Sequence, residues 1–179
     1  MNACDPTTVA TPAASAPAPE PLAGFFSPVS VAVIGATDKP ASVGRAVMEN
    51  LREFPGPVYA VNLHHEQVLG QAVFPSVAAL PAPVDLAVII TPAPTVPGLV
   101  RECVQAGVKA AVILSAGFGE EGGGGARLER QVLAEARRGA IRIIGPNCLG
   151  VMVPALRLNA TFAGTMALPG GVSRTCDQS

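Results

Sequence analysis

Apolar residues fall in two rhythms along this chain: short unbroken runs, and longer stretches in which they recur every third or fourth position. The runs are Ser30–Ile34, Pro57–Asn62, Asp85–Thr91, Lys109–Ser115 and Ile141–Ile144. A continuous apolar run of about four to eight residues suits a strand covered on both faces. Between the runs lie helical patterns. Ser42 is placed to cap a helix to about Glu53, with Val43, Val47 and Leu51 on one face. Val96, Leu99, Val100, Cys103 and Val104 mark a second helix that Gly107 closes, and Leu128, Val132, Leu133 and Ala136 mark the inward face of a third. Phe74–Leu80 reads as a short strand and helix before Pro81 and Pro83. Five strands alternating with helices predict an α/β fold: one domain with a doubly wound parallel sheet of the Rossmann type and right-handed crossovers.

The flanks lack this pattern. Residues 1–22 are rich in Ala, Pro, Thr and Ser and are expected to be a disordered leader. Phe25 and Phe26 then begin the packed part, expected over 23–153, with 154–179 starting a linker. Residues 1–20 hold no Lys or Arg and no apolar core of a signal peptide. No apolar run has the length and character of a membrane span, so a cytoplasmic protein without a membrane partner is expected.

In a doubly wound sheet, ligands bind beyond the carboxyl ends of the strands, where the strand order reverses. The unusual residues of this chain collect at those ends: Gly35, Ala36 and Thr37; Asn62; Thr91, Pro92 and Ala93; Ser115, Ala116 and Gly117; Asn147 and Cys148. After the first strand, Gly35 breaks the run and Ser42, Val43 and Gly44 open the helix. Such a turn offers backbone N–H groups and the positive end of a helix dipole to a phosphate. The spacing of Gly35 and Gly44 is neither the dinucleotide fingerprint nor a Walker loop. An NAD site calls for an acid at the end of the second strand. Here that strand ends in Asn62, Leu63, His64 and His65 before Glu66. An imidazole suits a ribose phosphate, as in NADP or coenzyme A; His64 and His65 as plain solvated loop residues remain the alternative.

Composition narrows the classes. Twelve basic residues face 13 acidic ones, net charge −1, with no basic stripe, so nucleic-acid binding has no electrostatic support. Six Phe, one Tyr and no Trp fit an aliphatic α/β core. The four cysteines, Cys4, Cys103, Cys148 and Cys176, form no C-x-x-C pair. That indicates neither a metal site nor a disulfide framework, and a reducing compartment. Cys148 reads as a buried structural thiol, and Asp85 and Glu120–Glu121 as solvated turn residues rather than an acid/base pair. The Gly122–Gly125 tract reads as a loose lead into the third helix.

Several of these elements together resemble a known family. Gly35–Thr37 with Ser42–Gly44, Val61–Asn62, Val84–Val88, Ala110–Phe118, Ile143–Val151 and Leu158–Phe162 are similar to the N-terminal CoA-binding domain of NDP-forming acyl-CoA synthetases. That family includes ADP-forming acetate–CoA ligases, the succinyl-CoA synthetase α subunit and bacterial protein acetyltransferases. The resemblance runs from about Phe25 to Gly171, and Gly145-Pro146-Asn147-Cys148 is its most specific part. It implies coenzyme A as the ligand. Gly35, Ala36, Thr37, Ser42, Val43 and Gly44 would hold the diphosphate through amides and a hydroxyl. Asn62 and the residues after it, including His64, would meet the adenosine end. Thr91, Pro92 and Ala93 would line the pantetheine path; Ser115, Ala116, Gly117, Asn147 and Cys148 would close the thiol end. The family usually reads Val-Asn-Pro-Lys where this chain has Val61, Asn62, Leu63 and His64, exchanging a fixed cation for a titrating imidazole.

The resembling synthetases continue into phosphohistidine and ATP-grasp domains. This chain instead ends in the polar Gly170–Ser179. A one-base shift of a permissible coding for that tail restores a family-like continuation, so a frameshifted, catalytically incomplete fragment, with a separate synthetase domain or subunit as its partner, is one expectation. A stand-alone CoA-binding regulatory module is a second. An NADP-dependent oxidoreductase fragment is a third, disfavoured because no proton-transfer residue follows the sheet.

Overall fold

The computed structural model describes residues 22–119 and 123–169. After a single helical turn, α1 (Ala23–Phe26), come β1 (Val31–Ile34), α2 (Val43–Asn50), β2 (Val58–Val61), β3 (Gln67–Val68), β4 (Gln71–Phe74) and β5 (Leu86–Ile89). Then follow α3 (Val96–Gln105), β6 (Ala110–Ile113), α4 (Gly123–Ala136), β7 (Arg142–Ile144), β8 (Gly150–Val153) and β9 (Leu158–Thr161). Seven strands form one sheet in the order β3-β4-β2-β1-β5-β6-β7, parallel except for the β3–β4 pair. The chain steps outward from β1 through β2, then returns to start again at β5 on the other side. The order therefore reverses between β1 and β5.

The apolar runs do what an internal parallel strand demands. Every residue of β1, β5 and β6 is buried, because both faces of the sheet are covered. Alternate residues serve the two sides. Val31, Val33, Leu86, Val88, Ala110 and Val112 face a layer made by α2, α1 and the β8–β9 hairpin. Ala32, Ile34, Ala87, Ile89, Ala111 and Ile113 face α3 and α4.

Seven strands rather than five make the sheet, because β3 and β4 come from a polar stretch without an apolar run. Gln67, Gln71 and Ala72 are exposed at the sheet edge, where half the positions meet water. The expected boundary at 153 falls inside the β8–β9 hairpin. Leu158 and Ala160 are fully buried, and Asn50 Nδ2 donates to the carbonyls of Thr161 and Ala163, both at 2.8 Å. The hairpin thus covers the α2 side where a further helix would otherwise be needed. The first long helix stops at Asn50 and tightens into a 3₁₀ turn at Leu51–Glu53. Val43 and Leu133, expected inside, are 37% and 42% exposed. Phe25 is buried while Phe26 reaches the surface. Phe74–Leu80 contains only the end of β4 and a 3₁₀ turn at Val77–Ala79, capped by Ser76 Oγ. Glu120–Glu121, Cys4, Cys176, the leader through residue 21 and the tail from 170 lie outside the described residues. The glycine tract is the first turn of α4 from Gly123 onward, with Gly125 packed against the Phe118 carbonyl.

Asp85 is a correction of another kind. It is buried just before β5, accepting a hydrogen bond from the Val29 N–H at 2.8 Å and pairing with Lys109 Nζ at 2.6 Å. Burial opposes its charge, but the Lys109 hydrogen bond, the Val29 N–H and the Lys109 charge together hold its carboxyl below the usual range. Since the folded group is the stronger acid, its stabilisation is complete above the unfolded pKa, about 3.9, and is lost as pH falls through the depressed folded value. Urea melts of wild type and Asp85→Asn should therefore differ most near neutral pH and converge in acid; a gap that widens in acid contradicts the pairing.

Candidate functional site

At the end of β1 the chain turns sharply at Gly35, whose φ of +96° is open to glycine and strained for other residues. The turn is tied to β2: the N–H groups of Gly35 and Ala36 both donate to the Val61 carbonyl, at 2.9 and 3.3 Å. Asn62, one residue past β2, returns the tie. Its Nδ2 donates to the Ala36 carbonyl at 2.8 Å, and its Oδ1 accepts the His64 N–H at 2.8 Å. One side chain therefore fixes the β1–α2 loop and aims the loop that carries His64 and His65.

The helix that follows is capped as its sequence indicates. Ser42 Oγ accepts the Arg45 N–H at 3.3 Å and donates to the Lys39 carbonyl at 2.7 Å. Arg45 braces the same loop, donating from Nη1 to the Asp38 carbonyl at 3.0 Å while Nε meets Glu49 at 2.8 Å. Gly44 sits where α2 touches the turn: a Cβ there would lie 2.7 Å from the Gly35 carbonyl oxygen and 3.0 Å from Thr37 Cγ2. The first N–H groups of a helix have no acceptor within it, so Val43 and Gly44 present theirs at the helix's positive end.

Beyond the ends of β1, β2 and β5 opens a cleft of about 540 Å³. Ile34, Val61 and Ile90 form its apolar base, with Gly35, Thr37 and Asn62 on one side and Thr91, Pro92, Thr95 and Leu99 on the other. Thr95 Oγ1 lies 2.8 Å from Thr91 Oγ1 and 2.7 Å from the Pro92 carbonyl. His64, His65 and Glu102 also line the cleft, and Glu102 Oε1 accepts the N–H groups of Val77 (2.6 Å) and Ala78 (3.2 Å). A second hollow of about 620 Å³ begins at Pro92 and runs past Ala93 and Pro94 to Ala116, Gly117 and Arg127. The two share Pro92 and together follow the carboxyl edge of the sheet, a path that begins at the switch point between β1 and β5.

Most of the residues singled out in the sequence meet along this path. Gly35, Thr37, Asn62, His64, Thr91 and Pro92 line the first cleft, and Pro92, Ala93, Ala116 and Gly117 the second. Others take different parts. Ala36 is fully buried, and the amides of Gly35 and Ala36 are spent on the sheet rather than open to a phosphate. Ser42 and Val43 border a separate depression of about 240 Å³ beside Phe162, and Gly44 is buried. Ser115 is buried; its Oγ lies 3.4 Å from the Ile89 carbonyl, and its own carbonyl accepts the Asn147 N–H at 3.0 Å. Cys148 is buried with Sγ 3.3 Å from the Ile113 carbonyl. These last three join the ends of β6 and β7 behind the path. Pro75, Ser76, Thr95, Leu99 and Glu102 line the cleft without having been singled out as site residues, and Leu63 and His65 line it as two of the residues that follow Asn62. Leu63 had a legible signal, an apolar residue in a polar loop, here 78% exposed.

Behind the cleft, burial pushes the Cys103 thiol up to about 12, with the Glu102 charge adding to it. Folded protein treated with iodoacetamide near pH 8 should carry no label at Cys103 on peptide mapping, whereas urea-unfolded protein should; labelling in the folded state contradicts the burial.

Comparison with known proteins agrees with the geometry. Residues 29–154 match the CoA binding domain family. The chain belongs to this family. An ADP-forming acetate–CoA ligase I of Archaeoglobus fulgidus is 47% identical over 139 residues, covering 78% of this chain and 20% of the relative. The α subunit of an ADP-forming acetate–CoA ligase I of Pyrococcus furiosus is 45% identical over 155 residues, covering 83% of this chain and 34% of the relative. A crystal structure from Pyrococcus horikoshii superimposes with a TM-score of 0.76 at 44% identity, covering 79% of this chain and 33% of that one. The chain thus spans between about a fifth and a third of the length of those curated ligases. Among the described residues no helix is long and apolar enough to cross a membrane.

Proposed function

We propose that this chain binds coenzyme A or an acyl-CoA along the carboxyl edge of its sheet, as the CoA-handling part of an ADP-forming acyl-CoA synthetase. The observation that carries this reading is that two hollows at the carboxyl edge of the sheet adjoin at Pro92, with different chemistry in each. Coenzyme A is a polyanionic nucleotide joined to a long uncharged arm that ends in a thiol. The Thr37 hydroxyl and the two imidazoles, which line the first cleft, suit the first half, and the start of α2 adjoins that cleft where Gly44 meets Gly35 and Thr37. Thr91, Pro92 and Ala93 suit the arm: two prolines, Pro92 and Pro94, offer no N–H that would need a partner. Ala116 and Gly117 then leave room for a thioester.

In this reading the chain holds and orients the thiol. Acid–thiol ligation driven by ATP also needs phosphoryl transfer. The chain's two histidines line the first cleft and not the second, which in this reading receives the thiol end. No lining residue is assigned a catalytic role, a partner domain or subunit supplies the phosphoryl chemistry, and the cytoplasm is the place of work.

Calorimetric titration with coenzyme A and with NADP⁺ tests the reading. Coenzyme A should bind at least about tenfold more tightly, because its uncharged flexible arm can reach along Pro92 and Ala93 to Ala116 and Gly117, contacts that a second ribose and a nicotinamide ring do not make. Tighter binding of NADP⁺ sinks the proposal.

A further inference from the structure

The second hollow is almost wholly apolar. Its walls come from the turn that leads into α3, the segment after β6 and the first turns of α4. Apart from Arg127, the residues lining it are proline, alanine, glycine and one leucine, Leu128, so Arg127 is the single charged side chain among them. Arg127 is also uncommitted. Arg45, Arg101, Arg138 and Lys109 each pair with a carboxylate, whereas Arg127 makes no ion pair or side-chain hydrogen bond among the described residues. Spacing along α4 explains this. The residues that share its face, three and four positions away, are Gly123, Gly124, Arg130 and Gln131, none of them acidic. Glu129, two positions on, reaches back toward Gly119: a Cβ at that glycine would lie 3.1 Å from Glu129 Oε2.

We infer that Arg127 selects acyl-CoA thioesters whose acyl chain ends in a carboxylate, so that the substrate class is the monothioester of a dicarboxylic acid. The inference rests on the proposed placement of the thioester beside Ala116 and Gly117. A hollow of about 620 Å³ leaves room well beyond an acetyl group. Its apolar walls suit methylene groups. A carboxylate at the end of such a chain is costly unless paired, and Arg127 is the one cation among the lining residues. The planar guanidinium matches a carboxylate through two parallel hydrogen bonds. A neutral chain of the same length gains the apolar contacts but not these.

Calorimetric titrations with glutaryl-CoA and pentanoyl-CoA isolate the carboxylate, because the chains are equal in length and the nucleotide end is common. Wild-type protein should bind glutaryl-CoA about fivefold more tightly, an effect between that of an exposed ion pair and that of a buried hydrogen bond to a charge. Adipyl-CoA against hexanoyl-CoA extends the comparison by one methylene. Added salt should narrow the preference. Arg127→Gln should abolish it and Arg127→Glu should reverse it; the residue is exposed, so neither change threatens the fold. Equal affinity within both pairs, in protein that binds coenzyme A, overturns this inference alone. So does a preference for the carboxylate that survives in Arg127→Gln, since another cation then holds it. Absence of coenzyme A binding overturns the proposed function and this inference with it.

Discussion

Gly44→Ala is expected to destabilise the fold by about 1–3 kcal/mol, the range for forcing one extra carbon into a packed site, and to weaken coenzyme A binding about tenfold. The added Cβ would meet the Gly35 carbonyl oxygen at 2.7 Å, well inside contact distance. That carbonyl cannot swing aside, because the Gly35 N–H is bonded to Val61 at 2.9 Å and the residue already sits at φ +96°. The adjustment falls on α2, which must back away from the turn and carry the Val43 and Gly44 amides with it. Losing one good hydrogen bond to an anion costs about 1.5 kcal/mol or more, which is the tenfold loss. A urea melt and a calorimetric titration read the two effects separately. Undiminished affinity in a destabilised variant removes the α2 terminus from the site.

Phe118→Ala should cost more, about 3–5 kcal/mol, a large share of the roughly 5–15 kcal/mol by which domains are stable. Its ring is fully buried in the core on the α3–α4 side, with Ile113, Val132 and Ile34. Neighbours held in sheet and helix cannot collapse into the space the ring leaves. The effect should reach the ligand path too, because Phe118 anchors the segment that presents Ala116 and Gly117 and packs its carbonyl on Gly125. The midpoint of thermal or urea unfolding measures the first effect. A loss below about 1 kcal/mol, the ordinary cost of a surface change, would mean that the ring is not part of the core.

The two glycines behind the first of these predictions show how legibility varied along one loop. That Gly35 breaks a strand and Gly44 opens a helix was visible as a change of hydrophobic period. That they touch each other, nine positions apart, was not, because period says nothing about how closely a helix returns to the turn before it. The Asn62 side chain is similar. Its place at a strand end marked it as a site residue, whereas its work as a clamp between two loops depends on β1 and β2 lying side by side. Asp85 departs from its expectation as a solvated turn residue for the same reason: no local pattern reports that Lys109 and Val29 converge on it from other elements.

What the sequence by itself determined was every element with a continuous or periodic apolar pattern: five of the parallel strands, the long helices, the Ser42 cap and the edge of the sheet where a ligand would lie. These follow from burial, which is written into the order of residues because each buried strand must be apolar throughout. Tertiary structure alone decided the rest. The β3–β4 edge carries a weak pattern, since a half-exposed strand tolerates polar residues, and β9 carries one because its buried Asn159 and Thr161 satisfy each other by a hydrogen bond. Which loop amides are spent on the sheet, which residues stand behind the path, and which charges face the cleft all depend on contacts between segments distant in the chain. Those contacts arise only when the two halves of the sheet meet at β1 and β5.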